Sequence, residues 1–383
     1  GIWMLNPDTE VSLGALLTVT LGGVILGLIF TALFRKYFIV TKELPFAMGQ
    51  AAAETLKVSE SGNKKVLLLF VSMIAAGIFT WLRDWKMKIA STILSSKAAV
   101  YGSSMGIWLS PMLVSIGYII GPVVIGVWFL GALIGDFGIL IGGVEFGLWD
   151  NQTAADIKSS LGIGLMVGTG IGILVKGIIP KAKDIFGSMF AKNSLGDNFI
   201  SMRWAPFVMV LLACAFTVVT DMGIIASIIT ILGTWLTTSM SAQCVGQSGI
   251  NPMEIFGIII LIAAKAVSEI GEMEAFYVAA VVAVACGLVG DVMNDFKAGH
   301  ILHTDPKAQW IAEVAGGLVG AVVSVCILFV ILKAYGPSAF GSEMFPAAQA
   351  SAVAAMVGGI SNMPAFVIGL IVAAVLYCVN FPV

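Results

Sequence analysis

The stretch GDVMNDFKAGHILHTDPKAQ, residues 290–309, holds the densest set of side chains able to carry or move a charge. Asp291 and Asp295 stand one helical turn apart, so their carboxyls fall on one face and can relay a proton or hold a cation. Lys297, His300 and His303 follow. A His-x-x-His pair beside carboxylates is one way to bind a metal. Two imidazoles in a connector make a weak ligand set, however, so the histidines are read as solvated. Asp291 differs because it closes an apolar run, and an acid at membrane depth is by default a functional candidate.

A second chemical stretch is ELPFAMGQAAAETL, residues 43–56. Pro45 suits a first helical turn, where its missing N–H costs nothing. Gly49 and the alanines at 51–53 leave room for another helix or a substrate. Gln50 offers a donor and acceptors, and the positive end of such a half-helix attracts an anionic group. Glu54 lies four residues on, roughly on the same face. Two readings of it stay open: a proton or cation site, or an interfacial carboxylate beside Lys57.

Other polar residues have plainer readings. Asp221, between two apolar runs, is expected in a turn rather than in a buried relay. Asp136, Glu145 and Asp150 are expected on a loop rim. Lys265 precedes Glu269 by four residues, which permits an intrahelical ion pair, but snorkelling at the interface is preferred. Gly164, Gly168 and Gly172 form a small-residue stripe suited to helix packing. The cysteines at 214, 244, 286, 326 and 378 have no C-x-x-C spacing and read as buried thiols. No nucleophile–base constellation supports an enzyme, and no Walker A pattern supports an ATP motor within the chain.

The elements that must position these residues are set by composition. The 383 residues are 59% hydrophobic and 11% charged, with a mean hydropathy of +1.02, well past the soluble norm. Apolar runs of spanning length recur without the short alternation of a barrel, so the chain is an all-α polytopic membrane protein. A net charge of −2, with bases in short loop clusters, argues against a nucleic-acid partner. Spans are predicted near 12–33, 66–81, 100–119, 123–142, 161–179, 205–219, 223–239, 253–267, 276–289, 311–332 and 365–379. Two stretches, 45–56 and 345–357, are too short to cross and read as broken or re-entrant helices near Pro45 and Pro346.

Those two stretches look alike. LPFAMGQAAAETL and MFPAAQASAVAAM each place Pro shortly before Gln and a run of small residues, and each follows a Gly-Gly-bearing helix. The prolines lie 301 residues apart. An internally duplicated bundle follows as an expectation, with residues 1 to about 200 the remainder of a first transmembrane repeat and about 201–383 the beginning of a second, both forming one membrane domain. A unit of that length also predicts that the sequence is a fragment of a longer protein. Paired, Pro-interrupted segments mark a transporter's central site.

Four motifs carry a family resemblance. KELPFAMGQAAAETL resembles the Leu-Pro-Phe/Tyr-Pro-x-Gly-x-Ala-x-Ala signature of the oligopeptide transporter (OPT) superfamily, which includes the yellow stripe-like metal-chelate transporters. VGQSGINPMEI resembles its Gly-x-Thr-x-Ile-Asn-Pro segment, DVMNDFKAGHILHTDPKAQ its Asp-x-Met-x-Asp-Leu-Lys-x-Gly-Tyr stretch, and FPAAQA the Pro-x-Pro-Gln-Ala of its second half. Ala47, Ser248 and His300 depart from those patterns. The resemblance implies two homologous halves and proton-coupled import of short peptides or metal–chelate complexes through a plasma (inner) membrane, with no cofactor. By matching, Pro45, Gly49, Gln50, Glu54, Asn251, Pro252, Asp291, Asp295, Lys297, Pro346 and Gln349 are expected to line or shape the path. Glu54 or the Asp291/Asp295 pair is expected to carry the coupling proton. The alternative is a passive channel for small polar solutes. Assembly as a homo-oligomer is left open.

Overall fold

The computed structural model describes residues 1–60, 63–83, 101, 109–181, 204–342, 345, 347–358, 360–379 and 381. Among them the chain is helical, with no strand beyond one isolated bridge between Phe340 and Phe345. The helices used below are α1 (Leu13–Arg35, continued as a π-helical turn over Lys36–Thr41), α2 (Ala47–Glu60), α3 (Asn63–Trp81), α4 (Pro111–Ile120), α5 (Pro122–Leu133), α6 (Asn151–Gly172), α7 (Ala205–Val219), α8 (Gly223–Ser248), α9 (Met253–Val267), α10 (Glu272–Ile301), α11 (Pro306–Tyr335), α12 (Ala348–Gly358) and α13 (Met363–Cys378).

Their limits follow ordinary helix chemistry. Proline opens α4, α5, α11 and α13, where its fixed φ and absent N–H are compatible with a first turn. Ser110, Asp305 and Asn362 cap three of these starts by accepting a backbone N–H. At the other end, Gly249 stops α8 with a φ of 75°, the left-handed conformation that glycine adopts without penalty.

Six segments among the described residues are long and apolar enough to cross a bilayer: Leu13–Thr41, Pro122–Glu145, Asn151–Lys176, Gly223–Ser248, Glu272–Ile301 and Pro306–Tyr335. The protein is therefore a multi-pass membrane protein, as its composition requires. Several spans run further than expected, the one predicted at 12–33 reaching Thr41 and the one at 161–179 beginning at Asn151. The segment predicted at 276–289 continues to Ile301, and the one at 223–239 continues to Ser248, because helix propensity and tertiary contacts carry polar residues past the apolar run. The expected connector at 290–301 is thus the last three turns of α10. Of the predicted 100–119 span, residues 100 and 102–108 lie outside the described residues, and Pro346 does too.

The chain groups into two compact units, Gly1–Gly49 with Met166–Ile360, and Gln50–Leu165 with Ser361–Val383. In the first, α10 is the central helix, packed against α1, α8 and α9, while α11 lies along α1. Phe30, Phe34, Phe38, Phe256 and Phe296 are fully buried there. In the second, α6 and α13 cross at backbone contact. A Cβ on Gly164 would sit 2.1 Å from the Phe366 carbonyl oxygen, so the predicted glycine stripe does serve packing. Much of α5 and α11 presents apolar side chains outward, Val123, Leu130, Val319, Val323 and Val330 among them. Such surfaces suit lipid rather than water.

Candidate functional site

The C-terminal half of α10 is where the predicted residues converge, and the hairpin after it explains why. Leu302 ends the helix and His303 turns left-handed at φ 58°. The Thr304 N–H then donates to the Gly299 carbonyl at 2.8 Å, and the His303 N–H to that of His300 at 3.4 Å. These two bonds form a Schellman motif, here with histidine where glycine is usual. Asp305 then caps α11, accepting from the Lys307 N–H at 3.1 Å. Gln309 folds back so that its Nε2 donates to the Asp295 carbonyl at 2.6 Å. A Cβ on Gly299 would meet the Gln309 side chain at 2.2 Å. The spacing of Lys-x-Gly and the later Pro-x-x-Gln is thus the stereochemistry of a tight helical hairpin.

That hairpin brings a third acid to the Asp291/Asp295 pair. Glu313 of α11 and Asp295 of α10 are equidistant from Thr304 in the chain, so antiparallel packing sets them opposite each other. Their carboxyl groups lie close enough to share a hydrogen bond. Asp291, one turn earlier on α10, is within electrostatic reach of both. Asp291 and Asp295 are exposed, and Glu313 is half-buried. Two adjoining carboxyls cannot both hold full charge cheaply, and a hydrogen bond between them requires a proton on one. The arrangement can therefore take up and release a proton. Glu313 falls inside the span predicted at 311–332 and is not among the sequence candidates, although reflection about the 302–305 turn points to it.

A different side of α10 receives the start of α2. Pro45 is not in the first turn, as expected, but two residues before it. Phe46 takes a φ of 45°, and the helix begins at Ala47. The irregular backbone there is satisfied by protein: the Phe46 N–H donates to the Gly246 carbonyl of α8 at 3.0 Å, and Leu44 N–H to that of Phe38 at 3.0 Å. The Phe46 ring is wholly buried. The Gly49 N–H donates to Asn294 Oδ1 at 3.0 Å, and a Cβ on Gly49 would lie 2.3 Å from the Asn294 carbonyl oxygen. Only glycine lets α2 approach this closely. Lys297, 7% exposed, stands beside it.

The remaining candidates have distinct settings. Asn251 is a latch: its Nδ2 donates to the Cys286 carbonyl at 2.8 Å. The Ser241 hydroxyl lies 2.8 Å from both Asn251 Oδ1 and that same carbonyl. Pro252 is the residue immediately before α9. Gln50 and Gln349 are exposed, on α2 and α12. Glu54 is exposed and pairs with Lys57 at 3.1 Å. The entry to α12 repeats that to α2: Ala347, following Pro346 in sequence, has a φ of 39°.

Several plainer readings hold and others are corrected. Asp221 sits in the α7–α8 turn at φ 55°, exposed. Asp136 is not on a loop rim. It lies in a π-helical continuation of α5 (Ile134–Gly142) and pairs with Lys158 at 3.1 Å, an arrangement that offsets the cost of an acid at that depth. Glu145 accepts from the Tyr101 hydroxyl. Asp150, just ahead of α6, accepts from the Thr153 hydroxyl, which holds its carboxyl below the usual carboxylate range. Lys265 forms no ion pair with Glu269, since α9 ends at Val267. Its Nζ lies 3.5 Å from the Val357 carbonyl, near the C-terminus of α12. Among the described residues no group of three or more metal-ligating side chains gathers.

Comparison with known proteins gives this geometry a context. A family model described as OPT oligopeptide transporter protein matches residues 2–381. A protein of Haemophilus influenzae named as a putative oligopeptide transporter is 23% identical over 94% of this chain and 65% of its own length. The chain thus spans somewhat less than two thirds of that relative. The metal-nicotianamine transporter YSL2 of Arabidopsis thaliana is 37% identical over 14% of this chain and 9% of its own. YSL8 of the same plant, named as a probable metal-nicotianamine transporter, is 29% identical over 21% and 13%.

Proposed function

This chain belongs to the OPT oligopeptide transporter family, and from that premise we propose that it forms part of a proton-coupled symporter importing short oligopeptides or metal–chelate complexes by alternating access. The observation that carries the coupling is the meeting of Asp295 and Glu313, with Asp291 one turn away, where two membrane helices join. A proton entering the pair neutralises one carboxyl and is held between the two. Its release on the other side restores the charge and commits the cycle. Residue weight moves accordingly from Glu54, whose charge is exposed and already paired with Lys57, to the α10–α11 carboxyls.

The cargo path is assigned to the short helices α2 and α12, each preceded in sequence by a proline. Their shared entry, a left-handed residue directly after proline and then a helix of small residues, supports reading them as corresponding elements of two homologous transmembrane repeats that change over near residue 200. Pro45, Gly49, Gln50, Pro346 and Gln349 shape this path, and Asn251 and Pro252 hold α9 in place beside α10.

The test is uptake into proteoliposomes of the full-length protein under an inward proton gradient, comparing labelled tri- to pentapeptides with an iron chelate. Saturable accumulation above equilibrium is expected for at least one cargo, surviving Glu54→Gln. Downhill entry without saturation, indifferent to the gradient, would instead establish a passive pore.

A further inference from the structure

The α5–α6 hairpin holds a charge pair that the proposed coupling leaves unused. Asp136 and Lys158 stand eleven residues either side of Gly147, which turns left-handed at φ 66°, so antiparallel packing sets them level. Lys158 Nζ donates to Asp136 Oδ1 at 3.1 Å. The lysine stem lies over Gly135, whose Cβ would stand 3.4 Å from Lys158 Cε. Asp136 belongs to the π-helical segment Ile134–Gly142, and such widened turns are frequent at functional sites. Trp149 steadies this one: its Nε1 donates to the Ile139 carbonyl at 3.0 Å, and its ring fills the space beside Gly143.

Depth gives the pair its meaning. At 1.5 Å per residue, Asp136 stands about 14 Å along its helix from Glu145 and Lys158 about 10 Å from Asn151, the ends that meet at the turn. Both therefore lie inside a hydrocarbon core about 30 Å thick, within the spans Pro122–Glu145 and Asn151–Lys176. The short Asp136 side chain cannot snorkel to the surface, and it pins the ammonium at its own level. Yet the Lys158 side chain is 39% exposed, against 13% for Asp136. Among the described residues Asp136 supplies the one acceptor that Lys158 has, which leaves two of its three N–H donors over. Lipid offers such donors nothing, and charged groups at this depth face a water-filled cavity or the bundle interior.

We propose that the exposed side of this hairpin lines a water-filled path, and that Lys158 presents its remaining donors there to a carboxylate of the cargo. The inference rests on the transport reading and adds to it a polar contact far in sequence from the α10–α11 carboxyls. Asp136 offsets the charge of the ammonium and holds it in place when no cargo is present, while leaving two N–H groups for it. A peptide C-terminus and an aminocarboxylate chelate both present the acid group that such donors take.

Two measurements on the full-length protein in proteoliposomes test this. The first is access. Asp136→Asn/Lys158→Cys, which leaves no orphaned acid, is treated with a membrane-impermeant sulfonatoethyl methanethiosulfonate, and modification at 158 is read by peptide mass spectrometry. Val319→Cys, on the outward face of α11 and 65% exposed at that position, is the lipid-facing control. The thiol at 158 is expected to react faster than that at 319 by on the order of tenfold or more, because the reactive thiolate forms poorly in apolar surroundings. Equal reactivity overturns the path. Acetylation of wild-type Lys158 by an impermeant sulfosuccinimidyl ester gives the same reading without a substitution. The second measurement is the KM for uptake of trialanine and of an iron(III) aminocarboxylate chelate. For whichever is carried, Lys158→Gln and Asp136→Asn/Lys158→Gln should both raise KM roughly tenfold, the scale of a lost charge-assisted bond, and the probe affected identifies the source of the carboxylate. A wild-type KM in the doubly neutral variant assigns the pair a structural role and overturns the contact while leaving transport standing. Failure of the wild type to take up either probe contradicts the transport reading and the contact with it, whereas reaction at 158 still decides the path.

Discussion

Asp295 and Glu313 meet across a hairpin, and a proton shared between them is the smallest unit on which the proposed coupling would turn. Nearby polar residues do different work despite similar chemistry. Asn251 spends both ends of its amide on α8 and α10, which ties the start of α9 to both. Asn251→Ala should therefore remove the tie from α9 to both helices, while Ser241 keeps the Cys286 carbonyl as its acceptor, and destabilise the fold by about 0.5–1.5 kcal/mol. A lowered melting temperature with unchanged choice among cargoes is the expected result. The Glu54–Lys57 pair sits at the other extreme. Both groups are well over a third exposed, and after screening by solvent such a pair is worth about 0–1 kcal/mol.

At the scale of elements, the α10–α11 hairpin determines which residues meet. His303 occupies its left-handed position, a conformation in which a side chain is disfavoured and glycine is not. His303→Gly is expected to raise stability by about 0.5–1 kcal/mol, read as a higher melting temperature, with uptake unchanged. Elements were largely legible in the sequence: α7 and α9 begin and end where the apolar runs do. The long continuation of α10 was not, because a hydropathy pattern ends at Gly290 while the helix is held to Ile301 by its packing and by the Schellman bonds. For the same reason Asp291 and Asp295 were found as a pair but Glu313 was not, since their meeting depends on the turn. The Pro45 interruption was legible as an irregularity. That Phe46, and not Pro45, makes the turn depends on a carbonyl from α8, two hundred residues away in sequence.

At the scale of the whole molecule, spans with aliphatic exteriors and a polar cluster at one hairpin fit a carrier whose charges move with its helices. The central claim is that cargo and proton cross together through the α10–α11 carboxyls. The most direct measurement is proton flux in liposomes that contain the full-length protein and a trapped pH dye, started by adding cargo with no imposed gradient. Cargo entering downhill should acidify the lumen, and Glu313→Gln should abolish that acidification while labelled cargo still exchanges across the membrane. Cargo entry without acidification in the wild type, or acidification undiminished in Glu313→Gln, would contradict it.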